Sequence, residues 1–133
     1  MRIVIVEDEA LLALELECEL ETAGHDVVGQ AMSLDSAVKV IDREKPDFAF
    51  VDVHLLDGPT GIDVGRHLRD SHIPFVFVTG NLKHIPEDFV GALGAIEKPY
   101  TVNGLQNALA YISRVVNGGG EIAPPASLVM APA

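Results

Sequence analysis

The sequence predicts an α/β domain built on a doubly wound, five-stranded parallel sheet, and three observations carry that prediction. Five short apolar runs rich in Val, Ile and Phe recur along the chain. Stretches of helical period separate them, as the crossover connections of parallel strands require. At 133 residues and 48% hydrophobic content, the chain is long enough for one domain that buries about two thirds of its unfolded surface in a single core.

The first strand is expected at Arg2–Val6, where Glu7-Asp8-Glu9 stops the apolar run. A helix over Glu9–Ala23 follows and ends at Gly24. The second strand is Asp26–Ala31, and the next helix, Leu34–Glu44, has Ser33 or Asp35 as its cap and stops at Lys45-Pro46. Phe48–Asp52 is the third strand and Gly61–Asp70 the third helix. Phe75–Val78 and Gly94–Glu97 complete the strands, with a short helix at about Ile85–Ala92 between them. The last helix, Val102–Val116, ends at Asn117-Gly-Gly-Gly. Residues 1–117 form the domain. The remainder, 118–133, has no period and three prolines, and reads as a tail that is mobile unless it docks. Internal repeats and a second domain are not expected.

The helix over Glu9–Ala23 carries two apolar stripes. Leu12, Leu16 and Leu20 recur at i, i+4 and make its core face. Leu11, Leu14 and Cys18 fall on another side, either as a dimer or partner surface or as part of a broad buried face with some exposed leucine. The second reading is the more common one.

A net charge of −11 argues against non-specific binding to nucleic acid or to anionic membrane, since both are polyanions. A divalent cation or a basic partner surface fits better. The single cysteine, Cys18, excludes an internal disulfide and suits a reducing compartment. Ile3–Val6 is too short for a signal peptide or a spanning helix, so a cytoplasmic location is expected.

An ionised carboxylate costs several kcal/mol to bury unpaired, yet Asp52 directly follows the core run Phe48–Val51. In open α/β sheets ligands bind beyond the carboxyl ends of the strands. That rule gathers Glu7 and Asp8 after the first strand, Asp52 on the third, Thr79 on the fourth and Lys98 on the fifth. Singly, each has a plain explanation: acids at a helix N-terminus, turn chemistry at Thr79-Gly80, a solvated lysine. Together those explanations require independent accidents at the ends of four strands. Three clustered carboxylates repel unless a cation joins them, and such oxygen donors suit Mg²⁺. Asp52 could then attack phosphorus. Lys98, the Thr79 hydroxyl and backbone N–H groups near Val53, His54 and Gly80 would stabilise the transferring group.

With those residues in place, the chain resembles the receiver domain of two-component response regulators over residues 1 to about 117. The matching pieces are E-D after the first strand, D-x-x-L-x-D-G-x-x-G from Asp52 to Gly61, F-V-T-G from Phe77 to Gly80, and E-K-P-Y from Glu97 to Tyr100. The resemblance implies a flavodoxin-like (βα)5 fold with strand order 2-1-3-4-5. It implies that Asp52 accepts a phosphoryl group from a histidine kinase or a histidine phosphotransfer protein. Asp8, Asp52 and the backbone carbonyl of His54 would bind Mg²⁺, with Glu7 acting through water. Lys98 would bridge to the phosphoryl group, Thr79 would move towards it, and Lys98–Pro99 would be cis. The signal would leave through the face of the fourth helix, fifth strand and fifth helix, towards a downstream protein still to be identified. Such a protein is not an enzyme in the usual sense, since it catalyses only its own phosphorylation and dephosphorylation.

P-F-V-F-V-T-G with E-K-P-Y also looks like the subgroup marked by P-F-x-F-A-T-G, many of whose members stand alone. Val78 replaces its alanine, and Asn81 the tyrosine that often follows. Typical receivers carry an aromatic three positions before the lysine, where this chain has Ala95. The signal is then expected to pass through Asn81–Leu93, whose short helix holds Pro86 and Gly91 and should be marginal. Tyr100 could take part of the aromatic role, although packing is its simpler use. The His54 side chain reads as exposed and tuning hydrolysis, and His25, His67, His72 and His84 have no spacing that suggests a site. Two rivals remain: a phosphatase with an aspartyl nucleophile, weakened because His54 stands where such enzymes place a second acid, and a receiver-like interaction module that is not phosphorylated.

Overall fold

The apolar runs pair as a parallel sheet. In the computed structural model, which describes residues 1–119 and 122–132, they are β1 (Arg2–Val6), β2 (Asp26–Ala31), β3 (Phe48–Asp52), β4 (Phe75–Thr79) and β5 (Gly94–Glu97). They lie in the order β2-β1-β3-β4-β5, all parallel. Every residue of β3 and β4 is buried, because helices cover both faces of the sheet and leave no polar side to alternate with.

The helices are α1 (Ala10–Thr22), α2 (Leu34–Glu44), α3 (Gly61–Asp70) and α4 (Val102–Val116). Successive strand residues point to opposite faces, so the core divides into two layers. Val4, Val51, Phe75 and Phe77 join Ile41, Val64 and Leu68 on the side of α2 and α3. Ile5, Phe50, Val76 and Ile96 join Leu16, Leu20, Leu105 and Leu109 on the side of α1 and α4. Of the two candidate caps of α2, Ser33 is the one used: its side chain accepts from the Ser36 N–H and completes a capping box. On α1, Leu16 and Leu20 are buried while Leu11 and Leu14 are 67% and 54% exposed. Cys18 is exposed too, so the second stripe lies at the surface.

Two expectations need correction. No α-helix forms over Ile85–Ala92. Single 3-10 turns at Leu82–His84 and Phe89–Gly91 take its place, so among the described residues there are four α-helices and not five. Pro86 lacks an N–H to donate, and Phe89 and Val90 both sit at φ +54°, which ends any helical run. The side chains of Asn81 and Asp88 accept from the Lys83 and Val90 N–H groups and hold the two turns. The expected output face therefore lacks its fourth helix.

The second correction is a sixth strand, β6 (Val129–Met130), antiparallel to β5. The tail meets the condition set for it, since it docks. Of residues 118–133, Gly120, Glu121 and Ala133 lie outside the described residues. No helix among the described residues is long and apolar enough to cross a membrane.

Gly61 shows how tightly α3 is seated. A Cβ there would strike the carbonyl oxygen of Asp52 and lie 2.7 Å from the Cα of Val53. Backbone cannot yield as a side-chain tip can, so Gly61→Ala is expected to cost about 2–3 kcal/mol. A urea-unfolding midpoint equal to that of the wild type would contradict this.

Candidate functional site

The carboxyl ends of the parallel strands bring the predicted residues together. β1 hands on directly to Glu7 and Asp8, β3 ends in Asp52, β4 in Thr79, and Lys98 follows β5. Glu7 and Asp52 are 6% and 9% exposed, and Thr79 is fully buried by its neighbours. Carboxylate oxygens of Glu7, Asp8 and Asp52 all lie within 4.8 Å of one another. The Lys98 ammonium donates to Glu7 Oε1 at 2.7 Å and to Asp52 Oδ2 at 3.0 Å. The Lys98–Pro99 peptide is cis.

One ammonium faces three carboxylates, and the charges register that imbalance. Burial, and then the neighbouring Asp52, push the Glu7 carboxyl above its ordinary range, while Lys98 pulls the other way and loses. Burial and the adjacent Glu7 raise Asp8 as well. Burial works to lower the Lys98 ammonium, but the hydrogen bonds it donates to Glu7 and Asp52 outweigh that and hold the group above the usual lysine value. A second cation is what the cluster lacks. Three hard oxygen donors beside solvent fit Mg²⁺, which keeps several waters and takes one or two carboxylates. The His54 backbone follows Val53, whose carbonyl accepts from the Gly61 N–H at 2.9 Å, so the start of α3 fixes this stretch beside the cluster.

A raised carboxyl pKa means that the ionised form is penalised by folding. That cost is fully present at neutral pH and disappears as pH falls through the folded-state pKa. Asp8→Asn removes it at all pH values. The metal-free variant is expected to melt higher than the wild type, and to lose stabilisation by added Mg²⁺. Thermal unfolding with chelator and with Mg²⁺ measures both, and a lower metal-free midpoint would contradict the charge argument.

The Thr79 hydroxyl is turned towards the β4–β5 loop. It accepts from the Asn81 N–H at 3.2 Å and donates to the Asn81 carbonyl at 3.3 Å. The Lys98 N–H donates to the Thr79 carbonyl at 2.8 Å, so the two residues share one backbone link. Asp57 stands apart from the acidic cluster. Its carboxylate accepts from the Thr60 hydroxyl and from the Leu34 N–H, and these bonds, Thr60 first, hold it below the usual carboxylate range. Tyr100 packs against the α1 and α4 core layer, and burial raises its phenol. Packing is thus the use the structure shows for it.

One relation escaped the sequence. The rings of His54 and His84 meet edge to face, with centroids 4.8 Å apart, and His84 also lies 3.4 Å from the Asn81 amide. The residue two places after Asp52 therefore touches the loop that begins at Thr79. Sequence spacing holds no signal for this contact, which follows from β3 and β4 being neighbours.

Residues 3–110 match the response regulator receiver domain. The chain is 38% identical over 90 residues, 66% of its length, to the phyllosphere-induced regulator PhyR of Methylorubrum extorquens, and covers 32% of that protein. It resembles the solution structure of SdrG from Sphingomonas melonis with 33% identity and a TM-score of 0.71, covering 85% of this chain and 96% of that one. The anti-anti-sigma factor PhyR from Bartonella quintana matches with 27% identity and a TM-score of 0.69 over 88% of this chain and 50% of that one. The chain spans half or less of either PhyR protein.

Proposed function

The chain belongs to the response regulator receiver domain family, and we propose that it is the phospho-accepting receiver of a two-component or phosphorelay system. The donor is a histidine kinase or a histidine phosphotransfer protein, and the acceptor is Asp52. The observation that carries this reading is the Lys98 ammonium bonded at once to Glu7 and Asp52 at the mouth of the sheet. An oxygen of Asp52 attacks phosphorus as the P–N bond to the donor imidazole breaks, and the departing imidazole takes up a proton from water. Asp8, Asp52 and the His54 carbonyl would hold Mg²⁺, with Glu7 acting through water. Bound there, the metal offsets the carboxylate repulsion and the charge that gathers on the phosphoryl oxygens. Lys98 exchanges part of its hold on Asp52 for a phosphoryl oxygen. Thr79 leaves the Asn81 backbone to donate to another.

The departure of Thr79 releases the start of the β4–β5 loop. Signal then passes through Asn81–Leu93 and not through an aromatic on β5, where Ala95 is wholly buried. His84 lies on that loop against His54, which couples it to the stretch that holds the acceptor. The chain turns over no other substrate than its own aspartyl phosphate and acts in the cytoplasm. The exposed Leu11 and Leu14 of α1 suit a partner helix or a second copy of the chain. One similar protein is described as an anti-anti-sigma factor, which supports a protein target over a nucleic-acid one, as does the net charge of −11.

Incubation with a small phosphodonor such as acetyl phosphate tests the reading. Intact-mass measurement should show one added phosphoryl group with Mg²⁺ and none with chelator. No uptake in the presence of Mg²⁺ would overturn it.

A further inference from the structure

β5 would be the open edge of the sheet, with a row of unpaired backbone donors and acceptors. The chain covers that edge with its own C-terminal segment. Gly94 pairs with Met130 and Ala95 with Val129, and the Ala131 N–H donates to the Leu93 carbonyl at 3.1 Å. Leu128 is 4% exposed and joins the core layer that contains Leu105 and Leu109. The Ser127 hydroxyl donates to the Gly104 carbonyl at 2.6 Å.

Two glycines shape this seat. A Cβ on Gly94 would collide with the Val129 carbonyl, and one on Gly104 would lie 3.2 Å from the Ser127 Cβ. The groove thus has two side-chain-free stretches of wall, a socket for leucine, an acceptor for a hydroxyl and a free strand edge. These are the parts of a strand-addition site, in which main-chain bonds give affinity and pockets give selectivity.

The occupant is weakly held. Two strand pairs and one buried leucine stand against the conformational entropy of ordering residues 122–132. Pro124 and Pro125 precede the seated segment and add no ladder donors. Val129 is exposed, so the segment's apolar anchors are Leu128 and the partly buried Met130.

We propose that the β5 edge is a strand-accepting site for a partner protein, held shut in cis by Ser127–Ala131. The partner presents an extended segment antiparallel to β5, with a small hydroxyl residue directly before a leucine, the chemistry that the chain's own tail displays. The site lies apart from Asp52 and does not require phosphorylation, so its test runs on unphosphorylated protein.

The probe is a fluorescent peptide with the sequence of residues 122–132, added to the full chain. Leu128→Asp should release the tail and bind the peptide about tenfold or more tightly than wild type, whose tethered segment competes at high effective concentration. Adding Gly94→Val to Leu128→Asp should abolish that binding. Equal affinity for wild type and Leu128→Asp, or binding that survives Gly94→Val, would overturn the proposal. A measurement on wild type alone stands beside these: excess peptide should remove the hydrogen-exchange protection of the Ala131 amide. Unchanged protection at saturating peptide would also overturn it.

Discussion

Asp52→Asn is expected to take up no phosphoryl group from either a small phosphodonor or a phosphorylated partner. The amide lacks the anionic oxygen that attacks phosphorus, and Glu7 and Asp8 stand after β1, where they flank the acceptor position without occupying it. The fold should not suffer. Asp52 is one of three carboxylates around a single ammonium, and after its neutralisation Lys98 keeps its 2.7 Å bond to Glu7. Metal-free thermal stability should therefore equal or exceed that of the wild type, since a repelling charge has gone. Intact mass and thermal unfolding give the two readouts. A phosphoryl group that persists on the variant would place the acceptor elsewhere.

Lys98→Met should act in the opposite direction on stability. It leaves Glu7 and Asp52 facing each other in a nearly closed site, without the ammonium that bridges them. Breaking a buried pair by removal of one partner costs about 3–5 kcal/mol. The site opens to solvent on one side, so about 2–3 kcal/mol is expected. The pH dependence checks the cause. Lys98 titrates above its ordinary value, so the wild-type contribution is complete below the usual lysine range and is lost only as pH rises through the folded-state value. The variant lacks that contribution throughout. Its penalty shrinks as pH falls through the raised Glu7 pKa, where protonation relieves the repulsion. Urea unfolding at neutral and mildly acidic pH, with chelator, should show the gap between variant and wild type narrowing. A gap independent of pH would point to lost packing of the lysine stem.

The strands were legible because buried parallel strands are continuous apolar runs, and Ile3–Val6, Phe48–Val51 and Phe75–Val78 stand between polar neighbours. The strand order came from the family resemblance and the clustering of Glu7, Asp8, Asp52 and Lys98 from the rule about strand ends, and the structure agrees with both. What escaped is local or long-range in ways that period cannot register. Ile85–Ala92 has apolar residues at helical spacing, but Pro86 and the left-handed backbone at Phe89 and Val90 outweigh them. A two-residue strand such as Val129–Met130 has no period, and its pairing with β5 is set more than thirty residues away. The faint signal for it was Gly94, a glycine opening a strand where a side chain would ordinarily be favoured.

The ion pair between Lys98 and Glu7 joins residues 91 positions apart. A chain still emerging from the ribosome, or one whose last parallel strand has peeled away, carries Asp52 but not the ammonium beside it. Under the proposed function, such a molecule would hold Asp52 without the ammonium that steadies the phosphoryl oxygens and would be phosphorylated more slowly. On the same reading, the ammonium that completes the site arrives only when the sheet has closed from its first strand to its fifth, so readiness to accept a phosphoryl group would report on completed folding.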